Sequence, residues 1–168
     1  DGKLYEGTNG MAGEVGHIGL ASDGPVGYGK PGSFEGFCSG GGIAQLAQTF
    51  VREYQQRGEH VGFVPKGGID AITARTVGEA AANGNECARA ILRSSGKWLG
   101  KGLSILIDVL NPEVIVIGSI FARSRDYLQP AAEAVIRSEA LSHSASVCRL
   151  LPAELGERIG DVAALSVA

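Results

Sequence analysis

The chain has 168 residues and a formal net charge of −3, with 44% hydrophobic and 20% charged residues. These values predict one soluble globular domain over residues 1–168 and exclude the strongly basic surface typical of nucleic-acid binding. The three cysteines, Cys38, Cys87 and Cys148, are odd in number and widely spaced, which predicts reduced thiols. Since the sequence has no apolar run of about 18 residues and no secretory signal pattern, we expect a cytoplasmic protein without membrane association.

The first residues predict that the chain is a fragment of a longer protein. Asp1 and Gly2 form a hairpin-turn dipeptide, and residues 3–6 have the pattern of the strand that follows such a turn. The sequence has no strand before this turn and no initiator methionine. We therefore expect that an upstream strand, and an N-terminal lobe with it, is missing.

The segment 10–35 contains the first candidate site. Glycines recur at positions 10, 13, 16 and 19, and this density lets backbone segments approach each other or a ligand closely. Glu14 and His17 would share one face of a helical turn, and the loop that follows would bring Glu35 back toward them. A carboxylate and an imidazole on one turn can bind neighbouring hydroxyls, so we predict a sugar-hydroxyl clamp. The alternative is a set of solvated polar residues on a loop.

The next segments have helical periodicity. Residues 35–57 predict one helix, and Asp70 is predicted to cap a second helix that runs to residue 82. A continuous apolar stripe predicts a long central helix over about 85–110, ended by Asn111 and the proline after it. Glycines interrupt this long helix at positions 96, 100 and 102, which predicts close contact with another helix or a sheet.

The C-terminal half alternates strands with helices. Residues 113–118 are the clearest strand, because four β-branched residues in a row are typical of a parallel strand covered on both faces. A helix from Ser119 to about residue 140, a strand at 147–151 and a helix at 157–168 follow. This order predicts an α/β fold in which helices flank a sheet.

Several glycine-rich segments allow more than one interpretation. Residues 27–32 match the letters of a dinucleotide fingerprint, but no buried strand precedes them and a proline interrupts them, so we reject that match. Cys38 beside Ser39 and three glycines could suggest a nucleophile, but no partner base can be assigned. These glycines instead predict a helix start that opens toward a ligand or a neighbouring segment. Gly118 and Ser119 would lie at a strand edge where phosphates bind, or would form an ordinary strand-to-helix turn.

Taken together, these segments resemble the signature of the ROK family of sugar kinases and sugar-responsive repressors. The matching segments are 13–17 (GEVGH), 32–35 (GSFE), 39–40 (SG), 111–118 (NPEVIVIG) and 160–164 (GDVAA). They occur in order over nearly the whole chain. The resemblance implies the C-terminal lobe of an actin-like ATPase fold, which is ribonuclease-H-like.

The resemblance also implies roles for individual residues. Glu14, His17 and Glu35 would bind the hydroxyls of a hexose or an N-acetylhexosamine. The residues near the nucleotide would be Ser39, Gly40, Gly118 and Ser119. Ser119 replaces the usual second glycine of the family. ATP with magnesium would supply the phosphoryl group in the full-length protein, and the general-base aspartate would belong to the missing lobe. We therefore expect no catalytic residue in this chain and no kinase activity of the fragment alone.

The sequence departs from the family in the loop after His17. Typical members carry three cysteines there, which bind a structural zinc together with the histidine. The corresponding positions here are Val26, Tyr28 and Ser33, so we expect no structural zinc and no other metal. Prolines, and packing of Tyr28 or Phe34, would order the loop instead.

Three functional interpretations follow. The first is half of an ATP-dependent sugar kinase, and the second is the effector-binding half of a sugar-responsive transcriptional repressor. The third is a structural or dimerisation module built on the glycine-containing helix at 85–110. The predicted partners are a small-molecule sugar, the missing N-terminal lobe and a second copy of the chain, with nucleic acid only if the protein is a repressor.

Overall fold

A computed structural model describes residues 3–154 of the chain. The α-helices in this range are α1 (Phe34–Cys38), α2 (Gly40–Gln56), α3 (Ala74–Ala82), α4 (Glu86–Leu110), α5 (Ile120–Arg123), α6 (Arg125–Glu139) and α7 (Ser142–Val147). The strands are β1 (Val26–Gly27), β2 (Lys30–Pro31), β3 (Val114–Ile117) and β4 (Arg149–Pro152). Single 3-10 turns lie at Val15–His17 and Ile69–Ala71. The predicted Asp1-Gly2 turn and the predicted helix at 157–168 lie outside the described residues.

The long helix α4 is the centre of the fold, as its apolar stripe predicts. Its start is capped by Asn85, whose side-chain oxygen accepts a hydrogen bond from the Ala88 amide at 3.0 Å. Its end is the left-handed Asn111, with φ 46°. One core lies between α4 and helices α2 and α3, and a second lies between α4, α6 and the β3–β4 sheet. The predicted helix at 85–110 is therefore confirmed.

Two of the α4 glycines allow α6 to pack against α4 at very short range. A Cβ on Gly96 would come within 2.6 Å of the Leu128 carbonyl oxygen, and a Cβ on Gly100 would come within 2.5 Å of the Ala132 carbonyl oxygen. Both distances are shorter than real contacts, so only glycine fits at this crossing. The predicted close contact is thus made within the chain, which removes the observation that favoured a dimerisation module.

The sheet of the C-terminal half confirms the α/β class. Strand β3 pairs in parallel with β4, with Val114 opposite Arg149 and Ile117 opposite Pro152. One expectation is wrong, because β3 is not covered on both faces by residues 3–154: Val116 is 62% exposed. Its neighbours Ile115 and Ile117 face the core beneath α4 and α6.

Three expectations about element boundaries are corrected by the structure. The predicted helix at 35–57 is two helices, because Ser39 is extended (φ −74°, ψ 166°) and its hydroxyl caps α2. The predicted helix from residue 119 to 140 is also divided, at Ser124. Asp70 does not cap α3; Thr73 does, through a capping box with Thr76.

The predicted strand at residues 3–6 is not formed. Leu4 and Tyr5 are 85% and 83% exposed, and no described strand pairs with residues 3–6. The Ala12 amide donates to the Glu6 carbonyl at 3.0 Å, but one such bond does not form the ladder of hydrogen bonds that a strand requires. None of the helices within this range combines the length and the apolar character needed to cross a bilayer.

Candidate functional site

The turn Val15–His17 places two of the predicted sugar-binding residues. Glu14 precedes this 3-10 turn and His17 ends it. Glu35 lies in the first turn of α1, which is held against this segment by a 2.8 Å hydrogen bond from the Phe34 amide to the Ile18 carbonyl. A Cβ on Gly16 would approach the Glu35 Cβ to 3.3 Å. Glycine at position 16 therefore lets α1 come close to the turn, as the glycine spacing predicts.

Glu14, His17 and Glu35 line one cavity, which we call the first cavity. It has a volume of about 520 Å³, and Met11 and Tyr28 complete its lining. Such a volume is within the usual range of small-molecule sites. Within residues 3–154, none of the three polar side chains is engaged in a hydrogen bond or an ion pair, so their atoms are available to a ligand. Two carboxylates beside an imidazole offer several hydrogen-bond acceptors to the hydroxyls of a polyol.

The four predicted nucleotide-binding residues line a second cavity of about 380 Å³. Ser39 and Gly40 belong to the start of α2, and Gly118 and Ser119 follow the carboxyl end of β3. The N-terminus of a 17-residue helix favours negative charge, and the carboxyl end of a parallel strand is the usual ligand edge of such sheets. The remaining lining is mostly apolar.

The two cavities adjoin at Glu35, which lines both of them. Val15 and Gly16 of the turn between Glu14 and His17 also line the second cavity. The seven predicted residues are thus brought together in two neighbouring hollows. A ligand in one cavity would lie beside a ligand in the other.

Sequence reasoning missed two residues of the first cavity, Met11 and Tyr28. Of the two residues predicted to order the loop by packing, Tyr28 or Phe34, it is Phe34 that is buried. Tyr28 is 88% exposed, at a hairpin turn where its φ is 46°. The signal for Met11 is its position three residues before Glu14, which places it at the entrance to the same turn.

Cys38 lies in the second cavity but is not a reactive thiol. Burial raises the pKa of the Cys38 thiol far above its ordinary range, and this effect outweighs the opposing contribution of the Ser95 side chain. The thiol is therefore protonated at neutral pH, and a protonated thiol is a poor nucleophile. This agrees with the rejection of Cys38 as a nucleophile.

Ser119 adopts a backbone conformation that suits glycine. Its φ and ψ are 56° and −123°, and the Phe121 amide donates to the Gly118 carbonyl at 3.3 Å across the same turn. These angles are those of the first central residue of a type II′ turn, where glycine dominates. A side chain in such a region raises the energy by about 1–3 kcal/mol. The second cavity therefore contains a strained residue at the position where the resemblance implies a glycine.

We expect Ser119→Gly to raise the free energy of unfolding by about 1 kcal/mol, because glycine adopts this φ without strain. Chemical denaturation measures the change. Ser124→Gly is the matched control, since Ser124 also precedes a helix but has a φ of −120°. There glycine adds freedom to the unfolded chain and removes a buried side chain, so it should destabilise. Equal destabilisation by both substitutions would contradict the assignment of strain to Ser119.

The whole chain is similar in sequence to one protein family. Residues 1–168 match the ROK family along the whole chain. The chain belongs to the ROK family. It is 32% identical over 164 residues to a glucokinase of Halalkalibacterium halodurans, covering 96% of this chain and 49% of that protein. It is 30% identical over 163 residues to the transcriptional dual regulator NagC of Escherichia coli K12, covering 94% of this chain and 37% of NagC.

A solved ROK structure has the same fold. The glucokinase from Streptomyces griseus, in complex with glucose and AMPPNP, superimposes with a TM-score of 0.79 at 26% identity, over 99% of this chain and 54% of that one. The fold is thus that of the actin-like ATPases, as the resemblance implies. The chain spans about half the length of these ROK kinases, and less of NagC.

The cysteine-bound zinc that the resemblance implies for this loop does not fit the residues of this chain. The positions of the expected cysteines hold Val26, Tyr28 and Ser33, which supply no thiolate. Among residues 3–154 there is no group of three or more histidine, cysteine, aspartate or glutamate side chains that could hold a metal ion. One imidazole without thiolates cannot provide the four ligands of a structural zinc site.

Proposed function

We propose that this chain is the C-terminal, sugar- and nucleotide-binding lobe of an ATP-dependent ROK kinase that phosphorylates a hexose or an N-acetylhexosamine. The observation that carries the proposal is the first cavity, in which Glu14, His17 and Glu35 converge with no competing protein partner among residues 3–154. The carboxylates would accept hydrogen bonds from adjacent hydroxyls, and the imidazole would donate or accept one. Such sites reject molecules that lack the hydroxyls, because the polar groups are then left unpaired.

The second cavity is proposed to bind the nucleotide. The start of α2 at Ser39 and Gly40 would face phosphate oxygens, with Gly118 and Ser119 opposite. ATP with magnesium supplies the phosphoryl group when bound. The similar Streptomyces griseus glucokinase is solved with glucose and AMPPNP, which supports this arrangement. The shared lining at Glu35 would hold the sugar next to the nucleotide.

We expect the 168-residue chain alone to have no kinase activity, because the general-base aspartate and the phosphate-binding loop are assigned to an N-terminal lobe. An assay that couples ADP release to a spectroscopic signal, run with a panel of hexoses and N-acetylhexosamines, tests this. The full-length protein, with the lobe present, is the matched control and should turn over at least one sugar. Turnover by the isolated chain would overturn the assignment.

The second candidate function is the effector-binding half of a sugar-responsive transcriptional repressor. The similarity to NagC favours it, and so does Ser119 in place of a glycine beside the nucleotide. A helix-turn-helix segment upstream of this chain would indicate the repressor, whereas a strand with a phosphate loop would indicate the kinase. Sugar binding by calorimetry without ATP turnover in the full-length protein would select the repressor.

The proposed setting is a cytoplasmic homodimer whose partners are the sugar and the N-terminal lobe, with nucleic acid only in the repressor case. Light scattering coupled to size-exclusion chromatography tests the homodimer. A monomer at micromolar concentration would contradict it.

A further inference from the structure

The β1–β2 hairpin forms one wall of the first cavity, so the forces that position it bear on sugar binding. Its strands pair Val26 with Pro31 and Gly27 with Lys30. The two turn residues, Tyr28 and Gly29, both have positive φ (46° and 77°), as in the two-residue turns that match strand twist. Tyr28 thereby reaches the cavity. A hairpin with two residues in each strand has little stability of its own. Other contacts must therefore hold it in place.

The first of these contacts is made by Gln45 of α2. Its side-chain amide nitrogen donates to the Val26 carbonyl at 2.9 Å, and its amide oxygen accepts from the Val26 backbone N–H at 2.8 Å. Both backbone groups of one β1 residue are therefore satisfied by a single side chain. Gln45 acts as a one-residue strand partner and fixes the outer edge of the hairpin to helix α2.

The second contact is made by Lys30 of β2. Its ammonium group donates a 2.7 Å hydrogen bond to the carbonyl oxygen of His17. The end of the Lys30 side chain lies against Gly19. A Cβ on Gly19 would be 3.5 Å from both the Cε and the Nζ of Lys30. This charge-assisted bond joins the hairpin directly to the residue that carries the cavity imidazole.

We propose that Lys30 and Gln45 are positioning residues that hold the hairpin and His17 in place without a metal ion. This inference rests on the proposed function in one respect, that the ligand of the first cavity is a sugar. Lys30 acts on the backbone of His17 and so on the direction of its imidazole. Gln45 acts on β1 and so on the wall that Tyr28 provides.

The test uses the full-length protein and the variants Lys30→Met and Gln45→Leu. Lys66→Met and Gln55→Leu are matched controls, because both residues are exposed and line neither cavity. Hydrogen–deuterium exchange, resolved by peptide mass spectrometry, measures the opening of residues 15–33. We expect roughly tenfold faster exchange there in both test variants, with exchange in α4 unchanged, and no change in the controls.

Sugar affinity separates positioning from general structural damage. Calorimetry with the best-bound hexose should show affinity weakened roughly tenfold in Lys30→Met, with the affinity for AMPPNP unaltered. Lys30→Arg should recover most of the loss, because a guanidinium can also donate to the His17 carbonyl. Unchanged exchange and unchanged affinity in Lys30→Met would overturn the proposal. A loss of affinity that arginine does not recover, accompanied by loss of AMPPNP binding, would also overturn it.

A third measurement tests the metal-free assignment. Treatment with 1,10-phenanthroline should leave the exchange of residues 15–33 and the hexose affinity unchanged, and elemental analysis should find less than one-tenth of a zinc per chain, roughly the level of adventitious metal. Faster exchange after chelation would overturn the proposal. If the wild-type protein binds none of the sugars, the proposed function fails, while the exchange and chelation results still decide whether Lys30 and Gln45 hold the hairpin.

Discussion

Replacing Glu35 by glutamine is expected to weaken hexose binding by the full-length protein about a hundredfold. The substitution keeps the size of the side chain but exchanges one acceptor oxygen for an NH₂ donor and removes the charge. A hydrogen bond to a charged group contributes about 1.5–3 kcal/mol to the binding free energy. For a carboxylate that accepts from two sugar hydroxyls we expect a loss near the upper end of this range, which is about a hundredfold in affinity. Calorimetric titration with the best-bound hexose measures the loss.

The matched control for this prediction is Glu53→Gln on the exposed side of α2. It removes the same charge but lines neither cavity, so sugar affinity should change less than twofold, about the error of such titrations. Glu14→Gln and the double variant add a test of convergence. If both carboxylates bind one sugar, their effects should not be additive, since the first substitution already disturbs the ligand pose. Wild-type affinity in Glu35→Gln would remove Glu35 from the sugar site.

Replacing Gly96 or Gly100 by alanine is expected to destabilise the chain by about 1–3 kcal/mol each, as overpacking of a tight interface does. The direction is informative, because glycine to alanine in an exposed helix normally stabilises by about 1 kcal/mol. Here each new methyl group would overlap a carbonyl oxygen of α6, at Leu128 and Ala132. The steric effect therefore exceeds the gain in helix propensity.

Urea denaturation of the 168-residue chain, followed by fluorescence, measures this effect. Trp98 is the single tryptophan of the chain and lies on α4, stacked on Phe37 with ring centroids 3.9 Å apart. Lys97→Ala is the matched control, because it lies between the two glycines but is exposed. It should alter the free energy of unfolding by less than about 0.5 kcal/mol. Stabilisation by either glycine-to-alanine change would show that α4 and α6 do not pack as the structure has them.

Patterns that depend on neighbouring residues were predictable from the sequence. The period of the apolar stripe predicts α4, and Asn85, Asn111 and Pro112 mark its ends through local capping. The loop after His17 predicts the return of Glu35 toward Glu14 and His17, and the structure brings the three side chains into one cavity. That this cavity binds a sugar remains a prediction.

Features that depend on tertiary contacts were not predictable in this way. The glycines after Ser39 predict the start of α2, but not the close packing of α1 on α2, in which a Cβ on Gly42 would overlap the Gly36 carbonyl. Apolar periodicity continues across the break at Ser39 and so does not reveal it. The contacts of Lys30 with His17 and of Gln45 with Val26 join residues 13 and 19 positions apart, with no local signal.

The serine that separates α1 from α2 connects the two cavities mechanically. Ser39 ends α1, where its backbone N–H donates to the Glu35 carbonyl. Its hydroxyl accepts from the Gly42 amide at the start of α2. Glu35 and the first amides of α2 are therefore linked through the hydrogen bonds of Ser39. A tilt of α1 on occupation of the first cavity would be transmitted through these bonds to the positive end of α2 in the second cavity. Energetic coupling between two such sites is reciprocal, so each ligand would alter the affinity for the other by the same factor.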